Sequence, residues 1–136
     1  MEEKFLYEKE SRLIYDACHE VWKKFGGAYK ESVVDKALTI ALVKRELQVD
    51  SQKRIKLTFD GQEVGVYIPD KVINDKIVVE VKCKPYLIKE DERQFWYYLR
   101  ATHYKLGFLV NFGPQGVEIK RRIYDSARTK LRSVAS

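Results

Sequence analysis

The chain has 136 residues, 45% hydrophobic and 34% charged, which excludes a disordered segment and fits one domain with a core of its own. No apolar run approaches the roughly 18 residues of a membrane span, and the charged opening MEEKFLYEKE lacks the apolar stretch of a secretory leader, so a cytoplasmic protein is expected. The net charge of +6 is uneven: residues 1–100 carry 19 basic and 18 acidic side chains, residues 101–136 carry 7 and 2, and such a basic end suits a polyanionic partner.

The first helix is expected from Glu3 to Lys24, where Leu6, Leu13, Ile14, Ala17, Val21 and Trp22 recur at helical spacing. Gly26-Gly27 ends it. A second helix follows from about Tyr29 to Leu47, with Val33, Val34, Ala37, Leu38, Ala41 and Leu42 as its apolar stripe. The period then changes to two. Ile55, Leu57 and Phe59 alternate with polar neighbours, Asp60-Gly61 makes a hairpin turn, and Val64, Val66 and Ile68 return. A short strand from Asp70 to Ile73 turns at Asn74-Asp75 into a strand from Ile77 to Lys82, which Pro85 stops. Glu90 to His103 reads as a third helix with Phe95, Tyr98, Leu99 and Thr102 facing inward. Lys105 to Asn111 is an apolar strand, and Val117 to Ile123 is a last strand or the start of a helix. The order is α-α-β-β-β-β-α-β-β, a mixed α/β sheet flanked by helices in one domain over residues 1–136, with a basic segment from about 124.

Two cysteines, Cys18 and Cys83, with His19 and His103 as the other soft ligands, are too few and too scattered for a zinc site. The chemistry gathers instead around IPDKVINDKIVVEVK, residues 68–82. Side chains at i and i+2 of a strand share a face, so Glu80 and Lys82 lie side by side while Val79 and Val81 face the core. Pairing about Asn74-Asp75 brings Asp70 alongside Val79 to Glu80. Two carboxylates held together repel unless a cation resolves the charge. Mg²⁺ takes carboxylate oxygens and bridges to phosphate, and a lysine beside the pair can position water or stabilise charge developing on a phosphate. The plain alternative is a solvated strand face on which Lys82 pairs with Glu80, worth about 0–1 kcal/mol.

Pro69-Asp70, nine residues, then Glu80-Val81-Lys82 resembles the PD-(D/E)XK motif of the restriction-endonuclease-like nuclease superfamily. Gln94 and Tyr98 on the next helix resemble the QxxxY element of its RecB-like branch. Gly26-Gly27, Glu31, Asp70, Glu80, Lys82, Gln94, Tyr98 and Asn111-Phe112 follow the order of the GxxExxR proteins over about residues 8–123. Ala28 and Val34 stand where that branch has its second-helix glycine and arginine. The resemblance implies a restriction-endonuclease-like core and a metal-dependent nuclease that hydrolyses DNA with a metal-activated water. It implies 5′-phosphate and 3′-hydroxyl ends. Base-specific recognition would have to come from loops of this one domain, so weak sequence preference and a preference for structure or ends are expected. The resemblance also implies Asp70, Glu80, Glu31 and the Val81 carbonyl as ligands of Mg²⁺ or Mn²⁺, Lys82 orienting the water, and Gln94 and Tyr98 facing the site. The alternative is a catalytically inert nucleic-acid-binding or assembly module on the same scaffold.

Lys84, Arg93, Arg100, Lys120, Arg121 and Arg122 are the chief candidates for the nucleic-acid backbone, with Lys105, Arg128, Lys130 and Arg132 as further cations. The run Phe95-Trp96-Tyr97-Tyr98 covers every side of its helix, so the helix over 90–103 is expected to be buried on both faces or to form a homodimer contact, ahead of stacking on unpaired bases.

Overall fold

The computed structural model describes residues 6–124. The expected helix start at Glu3 and the basic segment after Tyr124, with Arg128, Lys130 and Arg132, lie outside them. In chain order the elements are α1 (Glu8–Phe25), α2 (Glu31–Lys44), β1 (Val49–Ser51), β2 (Ile55–Phe59), β3 (Gln62–Tyr67), β4 (Lys71–Ile73), β5 (Ile77–Lys82), α3 (Lys89–Arg100), β6 (Leu106–Gly113) and β7 (Gly116–Ile123).

Five strands form a mixed sheet in the order β1-β4-β5-β6-β7, and β2 pairs with β3 apart from it. β5 and β6 are parallel and α3 connects them, while the other pairs are antiparallel. The fold is restriction-endonuclease-like α/β, a mixed sheet flanked by helices. β1 was not expected: Val-Asp-Ser is too short to show an alternation, and its pairing with β4 across a sheet edge is a long-range choice. The two hairpin turns form as their residues dictate, with positive φ at Asp60 and Gly61 and at Asn74 and Asp75.

Each sheet face has its own core. Ile77, Val79 and Val81 of β5 and Phe108 and Val110 of β6 pack with Ile14, Ala17 and Val21 of α1 and Val34, Leu38 and Leu42 of α2. Val72, Val78 and Leu109 face the other way, against Phe95 and Leu99 of α3 and Ile55 and Tyr67 of the β2–β3 hairpin. Each large apolar side chain buried this way contributes about 1.5–3 kcal/mol. Val33, expected in the stripe of α2, is exposed together with Ile40 and Val43.

Two glycines permit close approaches that locate the site. A Cβ on Gly107 would meet the Phe95 ring at 2.7 Å, so its absence lets α3 lie directly on β6. A Cβ on Gly27 would strike the backbone of Gly113 and Pro114, and Trp22 Nε1 donates to the Gly113 carbonyl at 2.8 Å beside it. The α1–α2 turn is thereby held against the end of β6, and the N-terminus of α2 against the C-terminal end of the parallel strands.

Candidate functional site at the carboxyl end of β5

The register Lys71↔Val79 sets Asp70, one residue before β4, beside Glu80 on β5. The Asp70 N–H donates to Glu80 Oε1 at 3.1 Å, and the Val81 N–H donates to Asp70 Oδ2 at 2.7 Å. Glu80 Oε2 accepts the Tyr67 hydroxyl at 3.0 Å. Both acids are held by strand backbone, and among the described residues neither carboxylate is paired with a lysine or arginine. Burial first, and the Asp70 charge second, push the Glu80 carboxyl up to about 7. Burial and the Glu80 carboxylate raise the Tyr67 phenol above its ordinary range, which keeps it a hydrogen-bond donor.

Glu80 and Lys82 line one pocket of about 190 Å³ beneath α3, with Asp91, Gln94, Phe95, Tyr98 and Leu109. Lys82 makes no ion pair among the described residues. Glu31, the first residue of α2, reaches the same end of the sheet from the opposite layer. Its carboxyl is raised by partial burial and then by Asp70, and lowered by Lys82. The structure therefore brings Asp70, Glu80 and Lys82 together, with Gln94 and Tyr98 on the pocket wall and Glu31 within electrostatic reach. Val81 turns its side chain into the core.

Tyr98 lies otherwise than expected. The residue is 37% exposed and its ring stacks on that of Tyr67, with centroids 4.6 Å apart and planes 10° from parallel. Tyr67, which ends β3, is the tyrosine whose ring is buried and whose hydroxyl reaches Glu80. Its place at the end of an alternating strand carried no sign of that role, because the hairpin folds onto α3 from a separate sheet.

The basic candidates divide. Lys84 is bound to Asp91 at 2.6 Å, Arg93 to Glu90 at 2.7 Å, and Arg122 to Glu92. In the run Lys120-Arg121-Arg122 the side chains alternate across β7. Arg121 turns to the α1 side and donates to the Leu6 carbonyl at 2.9 Å. Lys120 and Arg100 make no ion pair among the described residues. Asp91 has a lowered carboxyl: burial alone would raise it, and bonds from the Ile88 N–H and Lys84 outweigh that.

Other polar contacts shape the site through partners that no spacing in the sequence carries. Asn111, fully buried, accepts from the Lys84 N–H at 2.8 Å and donates to the Lys84 carbonyl and Glu118, so it clamps the loop that follows β5. Lys71, with no exposed surface, pairs with Asp35 one turn along α2 from Glu31. A lysine adjoining Asp70 and an aspartate at i+4 from Glu31 carry no motif, and only the packing of α2 on β4 joins them.

The donor set suits a hard divalent cation. Two backbone-anchored carboxylates share a site with no arginine or lysine bonded to them among the described residues, and the charge they concentrate is the kind Mg²⁺ or Mn²⁺ neutralises. Among the described residues no group of three or more His, Cys, Asp or Glu is clustered to hold a metal, so a complete shell needs oxygens from backbone, water or phosphate beyond Asp70 and Glu80. Among the described residues no helix is long and apolar enough to cross a membrane.

Comparison with known proteins adds two findings. A family model described as the PD-(D/E)XK nuclease superfamily matches residues 8–123. The crystal structure of an alkaline exonuclease from Laribacter hongkongensis is similar with a TM-score of 0.54 at 13% identity, over 98% of this chain and 77% of that one. No curated protein matches significantly by sequence.

Proposed function

The chain belongs to the PD-(D/E)XK nuclease superfamily, and on that premise we propose that it is a metal-dependent nuclease hydrolysing DNA phosphodiester bonds, with a preference for structure or ends and weak sequence specificity. One observation carries the reading: Asp70 and Glu80 are hydrogen-bonded to one another's strand with no basic partner among the described residues, and Glu80 shares its pocket with Lys82. A structural surface pair would have used Lys82 to neutralise Glu80.

Asp70 and Glu80 would hold Mg²⁺ or Mn²⁺ with the Val81 carbonyl as a further oxygen, and Glu31, which does not cluster with the two acids, would act through a bound water. Such an ion, when bound, supplies Lewis-acid stabilisation of the phosphate and a lowered pKa for water. The protein's own groups do the rest. Tyr67 fixes the rotamer of Glu80 by its hydrogen bond. Lys82 orients the attacking water and stabilises negative charge developing on the phosphate oxygens. Gln94, on the pocket wall, offers an amide to the phosphate. Asp91 holds Lys84, so Lys84 meets the nucleic-acid backbone only by exchanging that partner, whereas Arg100 and Lys120 meet it directly.

A catalytically inert nucleic-acid-binding module remains the second reading, favoured by Ala28 and Val34 in α2 and the turn before it. A homodimer through α3 would be a competing use of the exposed face of that helix. The deciding experiment is cleavage of labelled single-stranded, double-stranded and branched DNA at low salt, with Mg²⁺, Mn²⁺ or EDTA, beside Lys82→Ala. Metal-dependent cleavage lost in the variant supports the nuclease. Binding without cleavage in any metal, unchanged in the variant, supports the inert module.

A further inference from the structure

We propose that the groove between α3 and the β2–β3 hairpin is a stacking subsite for an unpaired nucleobase beside the scissile phosphate, with Tyr97 as its exposed platform. The inference rests on the nuclease reading and names the substrate class of that site: a single strand or a frayed end.

The groove has a volume of about 400 Å³ and is lined by Leu57, Glu90, Gln94, Tyr97, Tyr98 and Ala101. Gln94 and Tyr98 also line the pocket that holds Glu80 and Lys82, so the two cavities adjoin along these side chains. A substrate whose phosphate lies at Lys82 would have a neighbouring nucleotide within reach of the groove.

The chemistry of the lining selects the base over the phosphate. Among the described residues no lysine or arginine lines the groove, and the one charged side chain that does is Glu90. Its carboxylate pairs with Arg93 at 2.7 Å, which spends that cation locally. A phosphate there meets an acid; an uncharged aromatic face meets two tyrosine rings, Leu57 and Ala101. Stacking Tyr98 on Tyr67 fixes the plane of the inner ring, while Tyr97, 57% exposed, stands free beside it. The remainder of the aromatic run is already used, Phe95 in the core and Trp96 edge-on to Tyr124 at 5.7 Å. Bases inside a duplex have both faces covered by their neighbours, so a stacking platform can take only an unpaired one.

The test uses the full chain carrying Lys82→Ala, to prevent turnover, and fluorescence anisotropy with single-stranded oligonucleotides in which one abasic residue is walked through the sequence. Tyr97→Ala is expected to weaken single-strand binding roughly tenfold and to leave duplex binding unchanged. One abasic position should cause the same loss, without adding to it in the variant, and Tyr97→Trp should retain binding. Circular dichroism checks that Tyr97→Ala folds. A flat abasic walk, or equal weakening of single strand and duplex, overturns the proposal. So does sedimentation showing a dimer that Tyr97→Ala converts to monomer, which would give this face to a second copy of the chain. Cleavage by the unmodified protein separates the two readings. If it cuts DNA while the abasic walk is flat, only the stacking subsite falls. If it cuts nothing in any metal while one abasic position matters, the subsite stands as a binding site and the nuclease falls.

Discussion

Tyr67 and Glu80 are joined across two separate sheets: the phenol that ends β3 donates to Glu80 Oε2 of β5 at 3.0 Å. The bond favours the carboxylate and opposes the burial and the Asp70 charge that raise the Glu80 carboxyl to about 7. Tyr67→Phe should therefore raise it further. Activity in Mg²⁺ should rise with pH through a midpoint displaced upward from the unmodified protein, and stability should fall by about 1 kcal/mol. A pH–rate profile and urea denaturation read the two effects, and an unmoved profile would detach Tyr67 from the site.

Metal-free protein should lose stability as pH rises from about 4.5 through about 7. The Glu80 carboxyl is raised in the fold by burial and by Asp70, and the Glu31 carboxyl is raised in the same way. A group raised in the fold holds its proton there more tightly than in the unfolded chain, so its contribution is full below the unfolded pKa and lost above the folded one. For Glu80, raised from 4.5 to about 7, the loss is on the order of 3 kcal/mol. Asp70→Asn removes part of the cause and should flatten this limb. Melting in EDTA from pH 5 to 8 measures it; a curve that climbs across that range contradicts the assignment.

Asp35 and Lys71 form an ion pair whose lysine has no solvent-exposed surface. Removing one partner leaves a buried charge unanswered, so Asp35→Ala should cost roughly 3–5 kcal/mol. Replacing both, as Asp35→Leu with Lys71→Met, should recover most of it. A chemical denaturation cycle over the two singles and the double decides the point, and additive losses would mean the pair is not coupled.

Gly27→Ala puts a methyl into the backbone of Gly113 and Pro114. It should cost about 1–3 kcal/mol and displace the start of α2, which carries Glu31. Mn²⁺ binding by calorimetry should weaken alongside the fall in melting temperature. Weakened folding with full metal affinity would separate Glu31 from the ligand shell.

The local chemistry of the chain was legible residue by residue. Ile77 to Lys82, an apolar run with Glu80 and Lys82 at its far end, forms β5 over that span. Asp60-Gly61 and Asn74-Asp75 make the turns their tolerance of positive φ allows. Because the second turn is tight, it nearly dictates the register that sets Asp70 against Glu80, and the family followed from the same motif. These features depend on neighbours a few residues apart in the chain.

What escaped the sequence depends on contacts between distant segments. β1 is three residues that become a strand only because β4 offers an edge. The split of Lys120-Arg121-Arg122 across two faces follows from β7 being a strand at the sheet's rim. Tyr67, Asp91 and the Asp35–Lys71 pair acquire their partners only when the hairpin, α3 and α2 close on the sheet. The sequence by itself determined that Asp70, Glu80 and Lys82 gather in the candidate site, because strand periodicity and one turn suffice to align them. The tertiary structure alone decided which tyrosine holds Glu80, which cations are already spent on ion pairs, and where the aromatic helix leaves a ring exposed, because side-chain pairing between elements is set by packing that no local spacing encodes.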